Sequence, residues 1–108
     1  MTSKRIIIKI FTLIFISTSI AQSTFANNGE VWIDVRTAEE FNLGHFKNAK
    51  NIPYNEIKNY LNLLPTDKST EIYVYCRSGR RSNIAKMYLN ELGYLNVIDR
   101  GGLENLKF

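Results

Sequence analysis

The stretch EIYVYCRSGRRS, residues 71–82, decides the fold of this chain. Its first five residues are mostly β-branched or aromatic, which predicts a strand over residues 71–75. A polar loop follows that contains Cys76 and Gly79, and Ser82 then opens a segment with helical periodicity. A strand that passes through a short loop into a helix is the building unit of α/β sheets, so this stretch predicts an α/β fold.

The segment that precedes this stretch shows the same alternation. VWIDV, residues 31–35, is short and rich in β-branched residues, which predicts another strand. Thr37 is a suitable N-cap for a helix, and Glu40 three residues later completes a capping box. Gly44 then ends that helix. Another strand–helix unit is therefore predicted, N-terminal to the unit that contains Cys76.

The remaining patterns complete an alternating series of elements. We expect an extended stretch over residues 51–53, helices over 55–64 and 82–92, a strand over 96–98 and a short helix over 103–108. Strands that alternate with helices predict a mainly parallel central sheet. Ligands of such sheets bind beyond the carboxyl ends of the strands, where the loop at Cys76 would lie.

Residues 1–26 have the pattern of a secretory signal peptide rather than of a folded element. The positively charged start is formed by Lys4, Arg5 and Lys9. The apolar run over residues 10–16 is too short for a bilayer span, which needs about 20 residues. We expect cleavage after Ala26, with Ala21 as the alternative, which leaves a domain over residues 27–108. Export without a stable membrane anchor follows, with the bacterial periplasm as the expected location.

The charge of the chain changes when the leader is removed. The whole chain has 14 Lys and Arg residues against 10 Asp and Glu residues, a net charge of +4. The leader holds three of the basic residues and none of the acidic ones, which leaves 11 against 10 and a net charge of +1. Nucleic-acid binding usually needs a broad basic surface, so we expect no nucleic-acid partner. The sequence leaves the oligomeric state open.

Cys76 is the single cysteine of the chain, and its surroundings favour a reactive thiol. Neighbouring cations and helix N-termini lower a thiol pKa, and the thiolate is the nucleophilic form. The loop carries three such cations, Arg77, Arg80 and Arg81. Backbone amides of residues 77–82 can surround an anion, and Gly79 allows the turn that this requires. A buried structural cysteine is the alternative, but the polar flanking residues argue against it.

Four segments together resemble the rhodanese (thiosulfate sulfurtransferase) family. They are WIDVRTAEEF at residues 32–41, GHFKNAKNIP at 44–53, CRSGRRS at 76–82 and GYLNVIDRGGL at 93–103. The resemblance covers most of residues 30–106, and with the leader it is closest to the exported single-domain form of the phage shock protein E type. Two positions depart from the family pattern. Asn48 replaces a glycine, and Leu106 stands where many members have tryptophan.

The resemblance implies a small three-layer α/β/α domain with a central, mainly parallel sheet. It implies that Cys76 takes a sulfane sulfur from thiosulfate or a related small anionic donor. The resulting persulfide would pass its sulfur to cyanide or to a thiol, with no metal or organic cofactor. The persulfide would be held by the loop residues Arg77, Ser78, Gly79, Arg80 and Arg81.

Other residues of the sequence also have expected roles. Asp34 and Arg36 follow the first strand, where we expect a structural ion pair in support of the site rather than chemistry. His45, the single histidine, is expected to be structural rather than a catalytic base, as the resemblance implies. Four aromatic residues are most simply core or pocket-wall residues: Trp32, Tyr73, Tyr75 and Tyr88. Arg77 and Arg81 either act on the substrate or are solvated surface charges.

Two other functions share the same loop. A non-catalytic sulfur carrier would hold the persulfide and hand it to a protein partner. A cysteine-dependent phosphatase would use a longer loop, with five residues between cysteine and arginine, whereas only four separate Cys76 from Arg81. A loop of this length fits a sulfur-sized anion better than a phosphoester.

Overall fold

The computed structural model describes residues 29–106, so the expected leader over residues 1–26 lies outside the described part. Within it, four strands form one sheet in the order β2-β1-β3-β4, and every neighbouring pair is parallel. The strands are β1 (Val31–Asp34), β2 (Lys50–Asn51), β3 (Glu71–Cys76) and β4 (Asn96–Gly102). The α/β class and its parallel sheet are therefore confirmed.

In the described part of the chain, two α-helices accompany the sheet, α1 (Ala38–Leu43) and α2 (Arg80–Glu91). The capping box predicted for α1 is confirmed, because the Thr37 hydroxyl accepts from the Glu40 amide and the Glu40 carboxylate accepts from the Thr37 amide. Gly44 ends α1 as predicted. None of the helices within residues 29–106 has the length and apolar character needed to cross a bilayer.

The α-helix predicted over residues 55–64 is wrong. Two 3₁₀ helices, Tyr54–Asn59 and Leu61–Leu63, take its place, and Tyr60 between them leaves helical geometry with φ −123° and ψ 38°. Asparagine side chains compete with the backbone for hydrogen bonds, and three of them within nine residues weaken an α-helix here. The short helix predicted at the carboxyl end is a 3₁₀ turn, Leu103–Asn105.

Helix α2 begins earlier than predicted. Its N-cap is Gly79 in the left-handed region, with φ 101°, and Arg80 is its first residue rather than Ser82. Because Gly79 can adopt this left-handed conformation, the chain enters the helix directly after it. Arg80 and Arg81 therefore lie in the first turn of α2. Strand β4 likewise extends beyond the predicted residues 96–98 and reaches Gly102.

The main core lies on one face of the sheet. Side chains from β1, β3 and β4, such as Ile33, Val74 and Val97, are buried there. They form one cluster with Ala85 and Leu89 of α2. Burial of a Val, Leu or Ile side chain contributes about 1.5–3 kcal/mol, so this cluster holds α2 and its preceding loop firmly on the sheet.

The other face of the sheet carries aromatic side chains. Trp32 and Tyr73 are paired across β1 and β3, and their rings stack with centroids 4.8 Å apart. Phe46 stacks on the same indole at 4.2 Å. These rings are half-buried and pack against one another outside the main core cluster.

Asn48 shows why its departure from the family pattern is tolerated. Its φ is 67°, the left-handed region that glycine adopts most easily and that asparagine tolerates better than most residues. Leu106, at the other departure, is buried to 5% exposure and so fills part of the core.

Candidate active site around Cys76

Cys76 is the last residue of β3, at the carboxyl edge of the sheet, and its side chain is fully buried. The backbone turns back over the sulfur immediately afterwards. The Gly79 amide donates a hydrogen bond to Sγ at 2.9 Å, and the Ser82 hydroxyl lies 3.6 Å from Sγ. The loop therefore encloses the sulfur with polar hydrogens, which suits a negatively charged sulfur.

The surroundings of Cys76 have opposing effects on the pKa of its thiol. Burial raises the pKa of the thiol, but the Ser82 hydroxyl and the amides of Ser82, Gly79 and Ser78 together lower it below its ordinary value. Hydrogen bonds to the charged form are thus stronger than the cost of desolvation. Buried thiols in apolar surroundings have raised pKa values, whereas the hydrogen bonds of this loop act in the opposite direction.

The Ser82 hydroxyl is a further candidate site group, since the sequence pattern indicated only a backbone amide and a helix start at this position. Its hydroxyl donates to the Gly79 carbonyl at 3.0 Å while it lies beside Sγ. When Cys76 ionises, rotation of the hydroxyl lets it donate to the sulfur instead. Its position in the first turn of α2, facing back toward the strand, is the signal that could have identified it.

We expect Ser82→Ala to raise the pKa of Cys76 and to move its reactivity to higher pH. A hydrogen bond to a charged group is worth about 1.5–3 kcal/mol, so the shift should be about one to two pH units. The rate of iodoacetamide alkylation against pH measures it, because only the thiolate reacts. Asn83→Ala, at the exposed neighbouring position, is the control. An unchanged profile in Ser82→Ala would remove Ser82 from the site.

The three loop arginines have different surroundings. Arg77 and Arg80 are exposed, and neither forms an ion pair within residues 29–106. Arg81 is held by Glu40 through two parallel hydrogen bonds, Nη1–Oε1 at 2.7 Å and Nη2–Oε2 at 3.0 Å. These bonds raise the pKa of Arg81, and the nearby Cys76 charge adds to the effect. Arg81 is thus anchored by an ion pair, whereas Arg77 and Arg80 have no ion-pair partner among the described residues.

Glu40 is a second residue that sequence analysis assigned only to a helix cap. Its carboxylate also accepts from Arg81, which lowers the pKa of Glu40 to about 2. The ionised Glu40 carboxylate therefore stabilises the fold fully at a pH above 4.5, the ordinary pKa of this group. That contribution is lost as the pH falls toward 2. One carboxylate connects the first turn of α1 to the first turn of α2.

Asp34 and Arg36 form the predicted ion pair, with Arg36 Nη2 2.7 Å from Asp34 Oδ2. Both side chains are buried, and the Arg36 amide also donates to Asp34 Oδ1 at 2.9 Å. The same guanidinium donates to the Gly44 carbonyl at 2.7 Å. The pair therefore fixes the segment that follows α1 against the edge of the sheet.

Tyr75 connects this ion pair to the strand that carries Cys76. Its hydroxyl donates to Asp34 Oδ2 at 2.8 Å and accepts from the Phe46 amide at 2.8 Å. Burial raises the pKa of Tyr75 to about 12, so the phenol remains protonated. The residue directly before Cys76 is thus held in place by hydrogen bonds at its hydroxyl, a connection that the sequence pattern did not reveal.

A cleft of about 510 Å³ opens beside the loop. It is lined by Arg36, Glu40, Leu43, Gly44, His45, Arg77 and Leu103. The His45 ring stacks on Phe41 at 3.6 Å, and its Nδ1 is 2.9 Å from the Phe41 carbonyl. These contacts are of the structural kind expected for the histidine.

The comparisons with known proteins agree with this geometry. The model of the rhodanese-like domain family matches residues 18–107. The chain is 42% identical over 77 residues to the thiosulfate sulfurtransferase PspE of Escherichia coli K12, which covers 71% of this chain and 74% of that protein. It is 36% identical over 67 residues to the putative sulfur carrier protein YrkF of Bacillus subtilis, covering 62% of this chain and 35% of that protein.

A solved structure of a rhodanese with anions from E. coli is similar to this chain, with a TM-score of 0.69 and 40% identity. The similarity covers 74% of this chain and 94% of that one. The family match includes the strand, the Cys76 loop and the helix described above. This chain therefore belongs to the rhodanese-like domain family.

Proposed function

We propose that this protein is a sulfurtransferase that moves a sulfane sulfur from thiosulfate, or a related donor, to a thiophilic acceptor such as cyanide or a thiol. The observation that carries the proposal is the buried Cys76 sulfur, which accepts a hydrogen bond from the Gly79 amide at 2.9 Å. The hydrogen bonds around this sulfur lower the pKa of the thiol. The family match and the thiosulfate sulfurtransferase among its relatives support it.

The proposed reaction has two nucleophilic steps. The Cys76 thiolate attacks the outer sulfur of thiosulfate, a new S–S bond forms, and sulfite leaves with the electron pair of the old one. The acceptor then attacks the outer sulfur of the Cys76 persulfide and returns the thiolate. Since the persulfide is an anion, the amides that stabilise the thiolate can also stabilise the intermediate.

We assign the site residues on this basis. Cys76 is the catalytic nucleophile. The persulfide-binding and substrate-binding loop comprises Arg77, Ser78, Gly79, Arg80 and Arg81. Asp34 and Arg36 support the site by fixing its edge through their buried ion pair. Arg81 is assigned a positioning role, because both of its terminal nitrogens are bound to Glu40.

Arg77 is the better candidate for attracting the anionic donor, because its guanidinium is unpaired within the described residues and lines the cleft. We expect Arg77→Gln to raise KM for thiosulfate about fivefold at low salt and to weaken its dependence on ionic strength. Steady-state kinetics at several salt concentrations measures both effects. Lys86→Gln, which removes one cation from α2, is the matched control. Equal effects of the two substitutions would assign Arg77 to general surface charge.

We also propose that residues 1–26 direct export and are removed, so that the working domain comprises residues 27–108. The charged start and short apolar run of this segment support the proposal. The intact mass of the protein recovered from the exported fraction would give the cleavage position. Recovery of the full-length chain from that fraction would contradict removal.

The alternative is a sulfur carrier that holds a persulfide without rapid turnover. The complete burial of Cys76 favours it, since a buried persulfide is protected until a partner opens access. The similarity to a putative sulfur carrier protein points the same way. A phosphatase is less well supported, because the Arg81 guanidinium that would bind a phosphoester is already occupied by Glu40.

Steady-state assay of thiosulfate and cyanide separates enzyme from carrier. The sulfurtransferase proposal predicts saturable formation of thiocyanate over many turnovers and none in Cys76→Ser. Loading of one sulfur per chain without turnover would favour the carrier. Absence of loading with any sulfane donor would contradict both.

A further inference from the structure

The cleft lined by Arg77, the residue after Cys76, is much larger than the inorganic anion that the loop would receive. Its volume of about 510 Å³ is within the range of about 300–1,000 Å³ that is usual for sites of organic molecules. A small donor needs only the amide-lined loop. The remaining space is therefore available to the second substrate, the sulfur acceptor.

The chemistry of the lining indicates what kind of acceptor fits. Leu43, at the end of α1, is 91% exposed although it borders the cleft, and Leu103 contributes a second apolar side chain. A single exposed leucine is ordinary, but two that border the same cleft form an apolar wall. Arg77 supplies a cation with no ion-pair partner within residues 29–106.

The other charged groups of the cleft are already neutralised by partners. Glu40 is paired with Arg81, and Arg36 is paired with Asp34. The charge left for a ligand is therefore the positive charge of Arg77. A ligand that matches this cleft has an apolar body and one anionic group.

We propose that the cleft is the acceptor site for an organic thiol whose apolar body lies against Leu43 and Leu103 and whose carboxylate pairs with Arg77. This inference rests on the proposed sulfurtransferase function and specifies its acceptor. Leu43 is then a specificity-determining residue. Cyanide would react without using this wall, because it has no apolar body.

The transfer step balances without any further reactant. The acceptor thiolate attacks the outer sulfur of the Cys76 persulfide and forms a new S–S bond. The S–S bond to Cys76 breaks, and its electron pair stays on the Cys76 sulfur. The products are the acceptor persulfide and the Cys76 thiolate, so the sum of charges is unchanged.

The test measures discharge of the thiosulfate-loaded full domain by chosen acceptors. Three alkyl thiols are compared, with rates expressed per thiolate: 4-(mercaptomethyl)benzoate, benzyl mercaptan and 3-mercaptopropionate. The first has both an apolar body and a carboxylate, and each of the others lacks one of the two. Cyanide is the fourth acceptor and reports discharge that does not depend on the cleft.

The proposal predicts that 4-(mercaptomethyl)benzoate discharges the persulfide about tenfold faster than either other thiol. Leu43→Ser should slow both ring-containing thiols about fivefold and leave 3-mercaptopropionate and cyanide within twofold. Arg77→Gln should remove the advantage of 4-(mercaptomethyl)benzoate over benzyl mercaptan. Leu95→Ser is the matched control, because Leu95 is 74% exposed and precedes β4 at the other end of the sheet.

Equal rates for the three thiols in the unchanged protein would overturn the acceptor site. So would an equal loss in Leu43→Ser for cyanide and the ring-containing thiols, since that would mean a structural effect. In both cases the persulfide would still form, so the sulfurtransferase proposal would stand. Failure to load sulfur from thiosulfate would instead contradict that underlying proposal.

Discussion

Replacement of Gly102 by alanine is expected to lower sulfur transfer about 100-fold. Gly102 lies opposite Cys76 where β3 and β4 pair, directly beneath the loop. A Cβ atom at this position would be 2.5 Å from the Arg77 carbonyl oxygen and 3.3 Å from the Ser78 Cα. Both neighbours are backbone atoms and cannot rotate away, so the loop itself must move.

The displaced loop would lose the alignment of its amides with the Cys76 sulfur. The Gly79 amide lies 2.9 Å from Sγ, and a shift of about 1 Å weakens such a bond severely. The thiol pKa should therefore rise while the overpacked contact costs about 1–3 kcal/mol of stability. The rate of thiosulfate loading per folded molecule and urea denaturation measure the two effects.

The control for this substitution is Gly93→Ala. Gly93 has φ 99°, so alanine is strained there as well, but its nearest side-chain neighbour is Lys68 at 4.0 Å, away from the loop. We expect this variant to lose about 1 kcal/mol and to keep normal loading per folded molecule. If Gly102→Ala behaves like Gly93→Ala, Gly102 does not shape the loop.

Asp34→Ala is expected to cost about 3–5 kcal/mol of unfolding free energy. It leaves the Arg36 guanidinium buried at 6% side-chain exposure without its carboxylate. It also removes the acceptor of the Tyr75 hydroxyl. A small domain has only about 5–15 kcal/mol of stability in total, so the variant should be close to unfolding at room temperature.

Urea denaturation of Asp34→Ala and of Glu91→Ala provides the measurement and its control. Glu91 is an exposed carboxylate at the end of α2, and its loss should change stability by about 0.5 kcal/mol or less. A cost of about 1 kcal/mol or less for Asp34→Ala would contradict the account of a buried, mutually dependent network. Such a small cost would mean that the Asp34–Arg36 ion pair contributes no more to stability than an ordinary surface ion pair.

The sequence was informative where local pattern and structure coincide. The strand before Cys76, the capping box at Thr37 and the stop at Gly44 are all properties of neighbouring residues, and the structure has them. The alternation of strands and helices also predicted the parallel sheet, which the structure has. The prediction over residues 55–64 failed because spacing alone did not weigh the asparagines that disfavour an α-helix.

The Cys76 loop was predictable from the sequence, but the long-range hydrogen bonds that surround it were not. Cys76 and the amides around it follow from their position between a strand and a helix. The Arg81–Glu40 pair joins residues 41 positions apart, and Tyr75 reaches Asp34 across the same distance in sequence. Such contacts depend on the relative placement of elements, which no local pattern specifies. For that reason the anchoring of Arg81 by Glu40 became visible only in the structure.

The most direct test of the central claim is the intact mass of the protein before and after exposure to thiosulfate, with Cys76→Ser alongside. If Cys76 forms the persulfide, we expect a gain of one sulfur atom on the unchanged protein, its removal by cyanide, and no gain on the serine variant. An unmodified mass on a protein whose Cys76 still reacts with iodoacetamide would contradict the account.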